Sequence, residues 1–234
     1  MTESLIYSGR ELKLFSKAKN WKQYFCRFII PHIKGRVLEA GAGLGSMTSY
    51  LNKTPGLEWV LLEPDVTMAS LLKEKIATGI INSGCTVING TIDNAGNVPF
   101  DTIIYIDVLE HIEDDHTEII KAAALLNPGG KLIVLSPAFQ FLFSPFDKAI
   151  GHYRRYSKKS LQKVIEGRMK NISIHYLDTA GFFSSLANRL FLKQEYPLEK
   201  QIIFWDRFLI PVSVFLDKIF FYSFGKSILG IWEK

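Results

Sequence analysis

The sequence has little cysteine and no recognisable leader segment. Cys26 and Cys85 are the two cysteines among 234 residues, and their spacing matches neither a zinc site nor a redox pair. The pattern therefore predicts no metal site and a reducing compartment. Residues 1–13 are mixed polar and lack the apolar centre of a signal peptide. From the sequence we expect a cytoplasmic protein.

The sequence also lacks an uninterrupted hydrophobic run. A membrane-spanning helix needs about 18 or more uncharged apolar residues, and the apolar stretches 180–191 and 201–224 are both interrupted by charges. Their aromatic residues and basic ends leave peripheral membrane contact open as an alternative. The net charge is only +5 and no basic stripe accompanies it, so we expect no nucleic-acid partner. With 47% hydrophobic and 22% charged residues, the composition predicts one globular domain.

A glycine-rich turn lies between a predicted strand and a predicted helix. Residues 37–40 are a short apolar strand, residues 47–51 begin a helix, and glycines occupy positions 41, 43 and 45. Glycine tolerates positive φ and lets a ligand approach bare backbone. The first N–H groups of a helix favour an anionic group. The segment predicts a nucleotide-type cofactor on an α/β sheet, although a glycine turn without a ligand is the alternative.

Two acidic residues indicate which nucleotide this would be. The dinucleotide fingerprint G-x-G-x-x-G has its third glycine where this chain has Ser46. Glu39 precedes the first glycine by two residues, where it would repel a pyrophosphate but attract the ammonium group of S-adenosylmethionine. Glu63 ends the second predicted strand, where an acidic residue accepts hydrogen bonds from ribose hydroxyls. The pattern favours S-adenosylmethionine over NAD.

The ordered motifs resemble the class I S-adenosylmethionine-dependent methyltransferases, in particular a bacterial group of type 11/12. The glycine turn, Glu63, Asp107–Asp114 and Leu126–Val134 occur in that family's order, across roughly residues 30–180. The resemblance implies a Rossmann-like seven-stranded sheet of order 3-2-1-4-5-7-6, with strand 7 antiparallel and helices on both faces. It also implies methyl transfer from S-adenosylmethionine, for which we expect an oxygen atom of a small-molecule or lipid-linked acceptor.

The resemblance divides the chain into four segments of a single domain. Residues 1–33 would form a helical lid, in which Leu14–His32 is a predicted amphipathic helix and Tyr7 would reach the site. Residues 34–178 would form the cofactor-binding core. Residues 179–224 would be a helical cap inserted between strands 6 and 7, and residues 225–234 the last strand. The oligomeric state stays open.

The resemblance also assigns the cofactor-binding residues. Glu39 would hold the ammonium group, the glycine turn the methionine part, and Glu63 the ribose. The adenine would lie against Thr91 and Ile92, where the chain departs from the family's usual Gly-Asp-Ala pattern. The full predicted set is Glu39, Gly41, Ala42, Gly43, Gly45, Glu63, Pro64, Thr91, Ile92, Asp107 and Val108.

Two residues after the fourth strand are the candidates for catalysis. Asp107 ends the apolar run 100–106, at the edge where open α/β sheets bind ligands. Its carboxylate would offset the sulfonium charge or position the acceptor. His111 has a side chain whose unperturbed pKa suits removal of a proton from a hydroxyl. The alternative for His111 is a packing or capping role at the start of the next helix.

Residues 137–157 alternate aromatic and cationic side chains after the fifth strand. Because this strand also ends at the ligand edge, we expect the segment to form the acceptor pocket. Arginine pairs bind carboxylates and phosphates through two hydrogen bonds. The alternative is a structural clamp in which Asp147 pairs with an arginine. The predicted substrate-binding residues are His152, Tyr153, Arg154 and Arg155.

Three other functions compete with this interpretation. A dinucleotide-dependent oxidoreductase would use the same class of fold, but it would need glycine at position 46. A non-catalytic protein peripheral to the membrane would keep the cofactor fold as a scaffold. An RNA methyltransferase would need a basic surface or an added RNA-binding module, which the sequence does not show.

Overall fold

The computed structural model describes residues 10–82, 84–165, 167–192 and 196–234. Within these ranges seven strands form one sheet in the order β3-β2-β1-β4-β5-β7-β6. The strands are β1 Arg36–Ala40, β2 Glu58–Glu63, β3 Cys85–Asn89, β4 Phe100–Ile106, β5 Leu126–Pro137, β6 Lys170–Leu177 and β7 Ser227–Glu233. β7 pairs antiparallel with both neighbours, and the other pairs are parallel. The predicted fold class and strand order are confirmed.

Helices cover both faces of the sheet. The described helices are α1 Arg10–Phe15, α2 Lys19–Ile29, α3 Thr48–Leu51, α4 Val66–Ala77, α5 Asp115–Leu125, α6 Pro145–Ala149, α7 Lys158–Ile165, α8 Thr179–Ala187, α9 Glu199–Phe204 and α10 Ile210–Ile219. A wider helical turn at Trp205–Leu209 joins α9 to α10, so residues 199–219 run as one helix. This coverage explains why the central strands are apolar on both faces, as in β4, where Ile103, Ile104 and Tyr105 are fully buried.

The N-terminal helix differs from its prediction. In place of one helix over Leu14–His32, α1 ends at Phe15 and α2 begins at Lys19. The start of α2 is fixed from a distant part of the chain, because Asp206 accepts hydrogen bonds from the backbone N–H groups of Asn20 (3.1 Å) and Trp21 (2.9 Å). Local periodicity cannot reveal such a cap. Tyr7 lies outside the described residues.

Buried aspartates attach the helices between β6 and β7 to the sheet. Asp217 in α10 accepts hydrogen bonds from the Tyr24 hydroxyl (2.7 Å) and from the backbone N–H groups of Asp178 and Thr179 (2.8 Å each). Asp178 in turn accepts from the Trp205 indole N–H at 2.8 Å. In the sequence Asp217 interrupts an apolar stretch, as a solvent-facing charge would. Asp178 and Asp217 instead have no exposed surface, so the described helices between β6 and β7 are an integral part of the fold.

One face of the long helix over residues 199–219 is apolar and exposed. We call it the outer stripe, and it consists of Phe204, Phe208, Val212, Phe215 and Ile219. The spacing of these residues places them along a single side of the helix. In the described ranges no helix combines the length and the apolarity that crossing a membrane requires.

Candidate functional site

The candidate site lies at the carboxyl edge of the parallel strands. β1 leads there into the glycine turn, β2 ends at Glu63 and β4 is followed by Asp107. Since β7 is antiparallel, it begins at this same edge, where Ser227 pairs with Pro137 of β5. Residues far apart in the sequence therefore meet around one edge of the sheet.

The glycine turn needs its glycines for two reasons. Gly41 and Gly43 have φ values of +64° and +54°, which side chains other than glycine rarely adopt. A Cβ atom on Gly41 would also lie only 2.6 Å from Val108 Cγ2. Gly45 packs as tightly, since a Cβ there would lie 2.4 Å from Ile81 Cδ1. The turn therefore presents bare backbone at the sheet edge, and the side chain of Ala42 is buried beneath it.

Glu63 is held beside this turn by backbone hydrogen bonds. Its Oε2 accepts from the N–H of Gly43 (2.7 Å) and its Oε1 from the N–H of Asp65 (2.9 Å). Burial raises the pKa of Glu63, and these two hydrogen bonds oppose the rise. Each carboxylate oxygen can accept a further hydrogen bond. The side chain is thus fixed and retains the capacity to bind two hydroxyl groups, while Pro64 next to it is exposed.

Glu39 lies deeper, at the end of β1. Its side chain is only 4% exposed, and its Oε2 accepts a hydrogen bond from Thr48 Oγ1 at 2.8 Å. Burial raises the pKa of Glu39 to about 7, against the smaller opposing effect of the Thr48 hydroxyl. A buried carboxylate with so few compensating groups would be stabilised in its ionised form by a nearby cation.

The two residues predicted to contact adenine occupy different environments. Thr91 is exposed and caps a short helical turn over Ile92–Asn94, where its backbone N–H donates to Asn94 Oδ1 at 2.9 Å. Ile92 is only 3% exposed and packs in the core with Leu62 and Ala95. The apolar side chain of Ile92 thus packs in the core, and its contact with adenine stays a prediction.

A cleft of about 560 Å³ opens beyond Asp107. Its walls are apolar and include Phe15, Trp21, Phe146, Phe204 and Trp205, which come from the N-terminal helices, from the segment after β5 and from the helices before β7. Ionisable side chains line the rest of the cleft, and we call this set its floor: Asp107, Glu110, His111, Asp147, His152, Arg155 and Lys226. The cleft and the glycine turn meet at residues 107–108, since Val108 packs against Gly41 and Asp107 lines the cleft.

Asp147 organises the segment after β5. Arg155 donates two hydrogen bonds to its carboxylate, from Nε and Nη2 at 2.8 Å each. The Nδ1–H of His152 donates to the same carboxylate at 3.0 Å, and the hydroxyl of Ser144 does so at 2.8 Å. Burial alone would raise the pKa of Asp147, but the bonds from His152 and Arg155 outweigh it and hold the pKa below its usual range. Arg155 is therefore the arginine that pairs with Asp147 in the structural clamp, the alternative to a ligand-binding role.

The structure separates the four residues that the sequence predicts as substrate ligands. His152 and Arg155 line the cleft. Arg154 turns to the outer surface, where it pairs with Asp115 Oδ2 at 2.8 Å and donates to the Glu113 carbonyl oxygen. Tyr153 is half exposed, and its ring lies near the Arg154 guanidinium. Arg154 and Tyr153 are therefore not among the residues that line the cleft.

His111 is close to His152 at the cleft floor. The two ring centroids are 4.4 Å apart with an interplanar angle of 84°, and His111 hydrogen-bonds to the backbone of Gly151. Burial, with a smaller contribution from the neighbouring His152, lowers the pKa of His111 to about 4. The His111 imidazole is therefore neutral at physiological pH and a weak base.

Asp107 has a backbone conformation that aspartate seldom adopts. Its φ is +53°, and its side chain is exposed to the interior of the cleft. Enclosure by the surrounding protein raises the pKa of Asp107 to about 6, while His152 and Lys226 act in the opposite direction. At neutral pH the carboxylate form predominates and can accept a proton.

Sequence reasoning missed Lys226 and Glu110. Lys226 Nζ lies 4.3 Å from the centre of the Trp205 ring, inside the cleft. Its position just before an antiparallel last strand is the signal that could have placed it at the ligand edge. Glu110 has no exposed surface, and its Oε2 accepts a hydrogen bond from Ser136 Oγ at 3.0 Å. Among the described residues, no group hydrogen-bonds to Glu110 Oε1.

A family comparison covers the part of the chain that carries the glycine turn. Residues 38–132 match the family model described as a methyltransferase domain. This range of the chain is therefore similar to the methyltransferase-domain family. The matched residues include Glu39, the glycine turn, Glu63 and Asp107–His111. No curated protein matches the sequence.

Solved structures agree on the fold at low sequence identity. Geranyl diphosphate C-methyltransferase from Streptomyces coelicolor A3(2) is 12% identical with a TM-score of 0.65, over 99% of this chain and 87% of that chain. Phosphoethanolamine N-methyltransferase 2 of Haemonchus contortus is 15% identical with a TM-score of 0.66, over 97% of this chain and 59% of that chain. An S-adenosylmethionine-dependent methyltransferase from Archaeoglobus fulgidus is 14% identical with a TM-score of 0.60, over 96% and 100%.

The family match ends before the cleft is complete. The methyltransferase domain defined by the family model stops at residue 132, whereas Phe146, His152, Trp205 and Lys226 all follow it. The part of the cleft that these residues form lies outside the matched range, so its role has to be interpreted from its own geometry.

Proposed function

We propose that this chain transfers the methyl group of S-adenosylmethionine to an oxygen atom of a small-molecule or lipid-linked acceptor. The observation that carries the proposal is that two different structural features meet at residues 107–108. One is a glycine turn flanked by the carboxylates of Glu39 and Glu63. The other is an apolar cleft with ionisable groups at its floor.

The residues present fit this cofactor. Glu39 is a buried carboxylate that gains from a cation, which suits the ammonium group. Glu63 has one backbone hydrogen bond on each oxygen, which leaves it able to accept from two ribose hydroxyls. Gly41 and Gly43 hold the turn in a positive-φ conformation that would meet the methionine part with backbone groups. Thr91 would meet the adenine through its exposed polar groups.

The fold argues against a dinucleotide cofactor. A dinucleotide-binding sheet has the order 3-2-1-4-5-6, whereas this sheet inserts an antiparallel β7 between β5 and β6. A pyrophosphate at the glycine turn would also lie next to Glu39, which is repulsive whenever that carboxylate is ionised. Both features favour a cofactor with a cationic amino-acid group.

Within the proposed reaction, Asp107 is the group that takes the acceptor's proton. When bound, S-adenosylmethionine supplies a methyl group to the acceptor oxygen, and its sulfur keeps the electron pair of the broken bond. Asp107, whose pKa is about 6, is a better proton acceptor at neutral pH than His111, whose pKa is about 4. The apolar walls exclude water from the transfer. His111 would then position neighbouring groups.

The outer stripe supports a lipid-linked acceptor and contact with a membrane surface. Phe204 belongs both to the outer stripe and to the wall of the cleft, so the cleft opens beside an apolar surface. Exposed Lys200, Arg207 and Lys218 lie on the same helix and would attract anionic headgroups. An acceptor with an apolar chain could thus enter from the bilayer edge.

Labelling identifies the acceptor and tests the function. The full chain is incubated with methyl-labelled S-adenosylmethionine and, separately, with lipid and small-molecule extracts of cells, and mass spectrometry finds the labelled product. We expect label on an oxygen atom of one acceptor class. Binding of the cofactor without transfer to any extract would favour the non-catalytic alternative, and retention of NAD would favour the oxidoreductase.

The affinity for S-adenosylmethionine should depend on pH through Glu39. The free protein holds the Glu39 pKa at about 7, while a bound ammonium group requires the carboxylate form. Binding therefore releases a proton below pH 7, and the affinity should fall about tenfold from pH 8 to pH 6. Calorimetry across this range measures the change. Glu39→Gln, which cannot titrate, should show a nearly flat dependence, and a flat wild-type profile would contradict the role.

Glu63 should contribute to cofactor affinity without controlling turnover. Replacing it by alanine removes hydrogen bonds from a charged acceptor, so binding of S-adenosylmethionine should weaken by about 1–3 kcal/mol. The measurement is calorimetric titration of the variant. Glu58→Ala, which removes an exposed carboxylate from the start of the same strand, is the control. Equal affinity of the Glu63 variant and the wild type would remove its ribose role.

The outer stripe can be tested with vesicles. Phe208→Glu and Phe215→Glu place charges on its centre, away from the cleft, and should abolish flotation with vesicles of anionic phospholipid. Turnover of a water-soluble acceptor should be unchanged. Val66→Glu, at an exposed apolar residue on α4, is the control and should float as the wild type does. A wild-type chain that never floats would contradict membrane contact.

A further inference from the structure

We propose that Glu110, His111 and His152 form a binding site for a divalent transition-metal ion at the floor of the cleft. One potential ligand atom from each of the three residues lies within 4.8 Å of the others. No local sequence pattern predicts this metal site, because His152 lies about forty residues after the other two. The fold brings them together where β4 and β5 end.

His152 has the hydrogen bonding of a metal ligand. Its Nδ1–H donates to Asp147 Oδ1 at 3.0 Å, which leaves Nε2 as the atom with the lone pair. Nε2 lies 3.8 Å from Glu110 Oε1, too far for a hydrogen bond. A histidine that binds a metal through one nitrogen typically donates its other N–H to a carboxylate. Asp147, fixed by Arg155, supplies that carboxylate.

Glu110 provides the independent observation that a ligand belongs here. The residue has no exposed surface, yet Oε1 has no hydrogen-bond partner in the part of the chain that the structure describes. Buried polar atoms are rarely left without a partner, and each exception requires an explanation. The atom points to the same place as His152 Nε2. A cation between these two atoms would satisfy both.

His111 completes the set from the other side. Its ring stands nearly perpendicular to that of His152, with an interplanar angle of 84°. Its hydrogen bond to the backbone of Gly151 fixes the orientation of the ring, as backbone carbonyls do for metal-binding histidines. Asp107 lines the same floor outside this set of three, so it stays available as a proton acceptor.

The ligand set selects the kind of ion. Two imidazole nitrogens with one carboxylate suit Mn²⁺, Fe²⁺, Co²⁺ or Zn²⁺, whereas Mg²⁺ and Ca²⁺ prefer oxygen ligands. Bonds of about 2.1 Å place neighbouring ligand atoms about 3–4 Å apart. The separations in the structure, up to 4.8 Å, therefore need to close by about an ångström, which side-chain rotation supplies.

The consequence for the reaction rests on the proposed function. An ion at this floor would bind the acceptor oxygen and lower the pKa of its hydroxyl, and the proton released would go to Asp107. The open coordination positions would favour an acceptor with two adjacent oxygen atoms, such as a catechol or a vicinal diol. The ion would then contribute to acceptor choice as well as to its activation.

Cobalt absorption tests the site without any acceptor. The full chain is treated with a chelator, dialysed and titrated with Co²⁺, whose visible spectrum reports nitrogen and oxygen coordination. We expect one Co²⁺ per chain, displaced by Zn²⁺ and not by equimolar Mg²⁺. Glu110→Gln and His152→Gln should each weaken Co²⁺ binding at least tenfold. His116→Gln, at an exposed histidine outside the cluster, should bind Co²⁺ as the wild type does.

Two outcomes would overturn the proposal. One is the absence of a single saturable Co²⁺ site in the wild-type chain. The other is binding that survives both Glu110→Gln and His152→Gln, or that is lost in His116→Gln, which would indicate adventitious surface coordination. Circular dichroism confirms that each variant is folded before titration. Since no methyl transfer is measured, failure of this test leaves the proposed function standing, and failure of the labelling experiment leaves this site testable.

Discussion

Arg155→Ala should remove about 3–5 kcal/mol from the free energy of unfolding, because it leaves the carboxylate of Asp147 buried without its main counter-charge. Arg155 is only 8% exposed, and Asp147 has no exposed surface. The two hydrogen bonds between them are both 2.8 Å long. His152 and Ser144 remain as donors, but neither carries a permanent positive charge. Urea denaturation followed by circular dichroism measures the loss.

The neighbouring residue is the matched control. Arg154 pairs with Asp115 and has 28% of its side chain exposed, whereas its partner Asp115 is 12% exposed. Asp115 also accepts a hydrogen bond from the Tyr156 hydroxyl at 2.7 Å, which remains in Arg154→Ala. This variant should therefore lose less stability than Arg155→Ala. Equal destabilisation by the two substitutions would contradict the clamp. An Arg155→Ala protein that is fully stable but has a raised acceptor KM would make Arg155 a substrate ligand.

Asp107→Asn should lower the turnover number by at least about 100-fold, the usual contribution of a positioned proton acceptor. The substitution keeps the size of the side chain, and asparagine tolerates the positive φ at this position. The fold and the affinity for S-adenosylmethionine should therefore be preserved. The measurement is the initial rate with the acceptor that labelling identifies, together with calorimetric titration of the cofactor.

The pH dependence and a surface variant complete this test. The wild-type rate should fall as the pH drops through about 6, where Asp107 becomes protonated. Asp93→Asn changes an aspartate with a largely exposed side chain, paired with Lys121, and should keep the wild-type rate. A wild-type rate for Asp107→Asn would assign the carboxylate a positioning or electrostatic role only.

The sequence was most informative where neighbouring residues carry the signal. The glycine turn, the apolar run of β4 and the acidic ends of β1 and β2 are local patterns. The structure places Gly41, Glu39 and Glu63 around one turn. The end of β4 likewise predicts the position of Asp107. Such features follow from backbone geometry and from burial of short segments, which a single stretch of chain determines.

The remaining features depend on contacts between distant segments. Glu110 Oε1 meets His152 Nε2 only after β4 and the segment following β5 are side by side. Asp217 is a buried hydrogen-bond acceptor because α10 lies against Tyr24 and the end of β6. Arg154 and Arg155 are adjacent in the sequence, and only their packing separates a surface pair from a buried clamp. No local pattern carries this information.

The cap that Asp206 places on α2 has a consequence for biosynthesis. Asp206, whose carboxylate accepts the hydrogen bonds, lies 186 residues after the donor Asn20 and 185 after the donor Trp21. While the ribosome is still making the middle of the chain, the first turn of α2 cannot yet have its native cap. The central strands can pair earlier, so the wall of the cleft that α2 forms reaches its final state only towards the end of translation.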